Sequence, residues 1–226
     1  MLKFNLLGIG PQSHVKVQVD PTHQAVRASL RPLEHVVDGI IGGHYYLGAT
    51  TGAINNAPAG DQLFAVRWND GNNVFVLTHL AVSACCTAFN NSDGINVELL
   101  RASSYTVNAT GGTHIIPSTT SQMAHQSKMS SSSLTSSGEI RVASGVAGFT
   151  PGTQILDTEG LAAVECGGLA GVATPLQSLF NTFNPAAYPL VFSNNQGFVV
   201  RVVTTVTGNN AFRFSIQMSW IEVSTF

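Results

Sequence analysis

An all-β sandwich is the fold class that this sequence predicts, and three observations carry the prediction. Ala211–Val223 alternates with period two: Phe212, Phe214, Ile216, Met218 and Trp220 fall on one face, and Arg213, Ser215, Gln217 and Ser219 on the other. Successive side chains of a strand point to opposite sides, so one face of this segment belongs to a core. No apolar pattern with the helical period of about 3.6 extends over about ten residues anywhere in the chain. Instead, β-branched and aromatic runs recur about every ten residues between turns rich in Gly, Asn and Pro, the texture of a sandwich or jelly roll. The expected architecture is an antiparallel β-sandwich, jelly-roll-like, with an extended N-terminal arm at residues 1–40 and a single sandwich domain at residues 41–226. The chain has 226 residues, and one of this size buries roughly 70% of its unfolded surface, enough for a core without metal or disulfide support.

In the arm, Val15, Val17 and Val19 alternate with Lys16 and Gln18 to give one short strand bracketed by Pro11 and Pro21. A second extended piece, Ala25–Leu33, contains Arg31-Pro32, and the residue before a proline is steered away from helix. Neither piece is apolar enough to form its own core, so the arm is expected to lie along the body or along a neighbouring subunit. Its candidate interface residues are Val15, Val17, Val19, Arg27 and Arg31.

From Gly42 the texture becomes strand and loop, with Tyr45, Tyr46 and Leu47 set among glycine turns. Leu63–Trp68 and Val74–Val82 flank Asn69-Asp70-Gly71-Asn72-Asn73, and an Asp-Gly pair in a short polar loop predicts a hairpin. Ile95–Arg101 is the next strand, after the turn Asn90–Gly94. A serine-rich stretch near residues 121–138 reads as a loop. Ile140–Val142 and Leu161–Val164 are short strands, and Gln177–Phe183 is read as a single helical turn. Gly197–Val206, the turn Thr207–Asn210 and Ala211–Val223 are expected to form a core-facing antiparallel hairpin.

Composition narrows the function classes. Charged residues make up 10% of the chain and the net charge is −2, so there is no continuous basic footprint for nucleic acid. No apolar run approaches the ~18 residues that span a bilayer, and Phe4–Ile9 is too short for the core of a signal peptide. Nucleic acid and membrane are therefore not expected partners. Cys85, Cys86 and Cys166 form an odd set in which adjacent cysteines bridge only with strain, which reads as reduced thiols made in a cytosol. Sparse charge leaves few surface repulsions, which suits life in an assembly.

The chemistry-bearing residues support no catalytic or metal site. The seven histidines never occur as His-x-His or His-x3-His, and no Cys-x2-Cys is present for zinc. Asp157 and Glu159 share a Gly/Thr-rich turn without the spaced carboxylates of a calcium loop. There is neither a Gly-x-Ser-x-Gly nor a phosphate-binding loop. No catalytic residue, cofactor or metal is assigned. Tyr45, Tyr46 and Trp68 are the candidate rings for stacking on sugars in an alternative reading.

The segment Tyr188-Pro-Leu-Val-Phe-Ser-Asn-Asn-Gln-Gly-Phe-Val-Val-Arg201, followed by Phe212-x-Phe-x-Ile-x-Met-x-Trp-x-Glu-Val223, resembles uncharacterised virion structural proteins of tailed bacteriophages. Leu30–Glu34, Gly43–Tyr45, Ala65–Trp68 and Gly145–Asp157 match further islands of that pattern. Gln196 stands where an acidic residue is common, and Phe212 where tryptophan is. The resemblance implies a non-enzymatic virion structural protein made in the bacterial host cytoplasm. Within that class the reading is a capsid decoration (cement) protein on the head surface, a homotrimer whose partners are the major capsid protein or other virion proteins. The alternative is a sugar-binding adhesin module of a tail fibre or baseplate.

Overall fold

A computed structural model describes residues 44–88, 95–116, 124–126, 132, 134, 138–166, 171, 173–182, 189–206 and 211–223. The expected arm, with Val15, Val17, Val19, Arg27 and Arg31, lies outside the described residues, as does most of the serine-rich stretch.

The described chain is an all-β sandwich of two antiparallel sheets. The first sheet holds β1 (His44–Thr50), β3 (Val74–Ala88), β6 (Ala124–Gln126), β10 (Gln177–Asn181), β11 (Leu190–Phe192) and β13 (Ala211–Val223). Its order is β10-β3-β13-β1-β6, with β11 sharing the outer edge of β3 with β10. The second holds β2 (Gln62–Trp68), β4 (Ile95–Tyr105), β5 (Thr113–Ile115), β7 (Glu139–Val142), β8 (Gln154–Leu156), β9 (Ala162–Cys166) and β12 (Gln196–Val202). Its order is β5-β7-β2-β12-β4-β8, and β9 lies beside β8 on β4.

Among the described strands, no two consecutive ones pair with each other. Both expected hairpins are therefore corrected. β2 lies in one sheet and β3 in the other, and β12 and β13 are separated in the same way. The Asp70 carboxylate does close a tight turn, accepting hydrogen bonds from the Asn72 and Asn73 amides at 2.7 and 3.3 Å. That turn delivers the chain across the sandwich rather than back along β2. The helical turn expected at Gln177–Phe183 is replaced by β10, because a register shift between Ser178 and Phe180 interrupts the alternation by which a strand is recognised.

The core lies between the sheets. Phe212, Phe214, Ile216, Met218 and Trp220 are all buried on one face of β13, as their alternation predicts. From the opposite sheet come Phe64, Val66, Trp68, Phe198 and Val200. Phe75 is the centre of the aromatic packing, with ring centroids 5.7 Å from both Trp68 and Trp220 and 5.9 Å from Phe192. Offset and tilted contacts at these separations add about 0.5–1.5 kcal/mol per pair beyond the burial of the rings.

Candidate functional site

β2 alternates so that Phe64, Val66 and Trp68 enter the core while Ala65 and Arg67 face outward, and its neighbours follow suit. Across the β2–β7 pair, Arg67 stands opposite Glu139 and Ala65 opposite Arg141. Residues directly opposite in an antiparallel pair share a face, so two arginines and one carboxylate gather on the outer side of the second sheet. The chain after β4 folds over them. Arg67, Tyr105, Ala109, Glu139 and Arg141 line one shallow recess.

Arg67 organises this recess. Its Nε donates to the Tyr105 carbonyl at 3.1 Å and one Nη to the Asn195 side-chain oxygen at 2.9 Å, while the other Nη donates to the Asn108 side chain. Asn195 sits at φ 61° in the turn before β12, a left-handed conformation that asparagine tolerates better than most residues. Its amide donates to the Trp68 carbonyl at 2.8 Å, and its own carbonyl accepts from the Tyr105 amide at 2.7 Å. Arg141 pairs with Glu139 through Nε and donates through Nη1 to the Gly111 carbonyl at 2.7 Å.

Two polar atoms in the recess, Tyr105 Oη and Glu139 Oε2, are buried without a hydrogen-bond partner among the described residues. Burial pushes the Tyr105 hydroxyl above its ordinary range, the Glu139 charge pushes the same way, and Arg67 opposes them. Burial and the Glu139 charge both favour the protonated phenol. The three acceptors held by Arg67 clamp the segment after β4 and the Asn195 turn to the sheet. The arrangement is a brace.

The sugar-stacking candidates are separated rather than brought together. Tyr45 is 1% exposed and lies 5.2 Å from Trp220, and Trp68 is fully buried with Nε1 donating to the Asn73 carbonyl at 2.9 Å. Of the three, Tyr46 alone reaches the surface, at 39%. Rings sealed in a core present no face to a sugar. None of the three cysteines is in a disulfide; Cys86 and Cys166 are buried and Cys85 is half-buried. Burial pushes the Cys166 thiol up, the Thr174 hydrogen bond opposes it, and Glu165 reinforces it. Among the described residues no three His, Cys, Asp or Glu side chains are grouped to hold a metal ion, and no helix is long and apolar enough to cross a membrane.

The brace was missed in the sequence, although Glu139-Ile-Arg141 carries a period-two signal that puts both charges on one face. Nothing local relates it to Arg67, which comes into register only through the β2–β7 pairing.

Fold and brace together define an antiparallel β-sandwich protein with an aromatic-rich core. No family model matches the chain, and neither a curated protein nor a solved structure matches it.

Proposed function

We propose that this chain is a non-enzymatic structural protein of a tailed-phage virion, a capsid decoration protein that stabilises the assembled head. The observation that carries the reading is the order of strands. Count β8 with β9, and β10 with β11, as single edge strands, and set aside the inserted β5–β7. Eight principal strands remain: they pair first with last (β1–β13), second with seventh (β2–β12), third with sixth (β3 with β10 and β11), and fourth with fifth (β4 with β8 and β9). The β13–β3 and β12–β4 contacts roll this ribbon up. That nesting is the plan of a jelly roll, the architecture of many viral capsid and lectin domains. Fold alone does not decide between those uses. Burial of Tyr45 and Trp68 takes two of three candidate rings from the lectin alternative, while sparse charge and the resemblance at residues 188–223 favour the virion.

The mechanism is bridging. Body and arm do different work: the sandwich gives a rigid, rotationally repeated body in a trimer, and the N-terminal segment reaches the shell or a neighbouring copy by strand addition. Such a segment, with little apolar surface, offsets its ordering entropy of roughly 1–2 kcal/mol per residue only on a partner. Head shells assembled without this protein provide the test. The full chain is expected to occupy and stiffen them, whereas a chain lacking residues 1–20 stays folded and soluble but does not bind. Rebinding of the truncated chain at unchanged occupancy would move the contact to the sandwich body.

A further inference from the structure

The outer edge of the second sheet is formed by β8 and β9, and among the described strands each of them pairs only with β4. An unpaired edge is a template for another strand. This one also exposes apolar side chains. Ile155 is 65% exposed, the highest value among the large apolar residues described, and Val107 and Leu161 are 54% and 46% exposed. The Val107 amide bonds to the Thr153 carbonyl just before β8, and Leu161 leads into β9, so all three lie on or beside these two strands. Asp157, Glu159 and Glu165 punctuate the same run, and no lysine or arginine occurs between Arg141 and Arg201.

That charge pattern decides the occupant. Two copies joined edge to edge would set Asp157 and Glu159 against like charges, which disfavours pairing. The arm, residues 1–40, by contrast carries Lys3, Lys16, Arg27 and Arg31 against Asp20, Glu34 and Asp38, and its first nineteen residues carry Lys3 and Lys16 with no acid. They include Val15–Val19, a five-residue strand pattern with one apolar face. The segment joins the sandwich at His44 in β1, on the side of the first sheet away from β10. From there to Val19 the chain can extend roughly 80 Å at about 3.3–3.6 Å per residue, well beyond the width of one sandwich.

We infer that Val15–Val19 of one copy adds as a strand to the β8–β9 edge of a neighbouring copy. Val15, Val17 and Val19 cover Ile155 on the outer face of the sheet, and the basic charge of the N-terminal segment complements the acidic run. This rests on the bridging function proposed above and names the partner surface of the arm.

The experiment mixes two singly substituted full-length proteins in a Cys85→Ser background, Val17→Cys and Ile155→Cys, under mild oxidation. A mixed dimer can then form only between copies. At least tenfold more of it is expected than from Val17→Cys mixed with Arg213→Cys, which lies exposed on β13. Glu159→Cys serves as a second acceptor should Ile155→Cys fail to melt cooperatively. Reversing the edge charge with Asp157→Lys and Glu159→Lys is expected to lower the yield several-fold. Equal yields from the edge and the β13 control, with all variants folded, would overturn the inference. Crosslinking without shell binding would sink the decoration reading alone, and shell binding without crosslinking would sink the docking alone.

Discussion

Replacing Phe214 by alanine is expected to cost about 3–5 kcal/mol, from lost transfer energy plus the cavity left behind. Phe214 is fully buried, its ring 6.2 Å from that of Phe212, and it lies opposite Ala84, which is too small to fill the void. Its backbone is held on both sides by Thr51, whose amide bonds to the Phe214 carbonyl and whose hydroxyl accepts from the Phe214 amide, each at 2.9 Å. The surroundings are therefore poorly placed to collapse. Gln217 lies on the opposite face of the same strand, beside Gly48 and Ala81, and Gln217→Ala is expected to cost under ~0.5 kcal/mol. Urea unfolding of both variants measures the contrast. Equal costs would mean that β13 is out of register by one residue, since such a slip exchanges its faces.

Gly197→Ala is expected to be comparably damaging, at about 3 kcal/mol. Gly197 sits in β12 between Arg67 and Ala102, inside the second sheet. A Cβ there would lie 1.9 Å from the Val66 carbonyl oxygen and 3.2 Å from the Arg67 Cα. Both are backbone atoms, so relief requires β12 or β2 to move, and overpacking of this kind costs about 1–3 kcal/mol or more. In a domain of this size the melting temperature should fall by roughly 6–12 °C. Gly48 in β1 is the control: a Cβ there meets nothing within 4 Å, so Gly48→Ala should be neutral or stabilising by up to about 1 kcal/mol. A neutral Gly197→Ala would contradict the close approach of β12 and β2.

The strands were legible where a strong alternation faced a single core. β13 and β7 fall within a residue of the segments read from sequence, and β9 within two. β3 runs on from the apolar Val74–Val82 to Ala88, because Ser83-Ala84-Cys85-Cys86-Thr87 is too small and mixed to register as a strand. β10 escaped through its bulge, and β8 is only three residues long. Partners were not legible at all. Every pairing among the described strands joins strands distant in sequence, so a turn such as Asn69–Asn73 marks a reversal without revealing which sheet receives the next strand. The same limit hid the brace, in which Arg67, Tyr105, Glu139 and Asn195 come from four separate stretches. Tyr45 and Trp68 read as candidate stacking rings because their strands are short and flanked by glycine or asparagine, yet Trp220 packs on Tyr45 and Phe75 on Trp68.

On the proposed function, this sandwich decorates a phage head. Electron cryo-microscopy of the purified particle at side-chain resolution tests it most directly. The two sheets of the sandwich are expected on the outer surface of the head, in three-fold groups, with residues 1–20 in contact with a shell protein or a neighbouring copy. Density for the sandwich at the tail tip or baseplate, with a bare head, would contradict it.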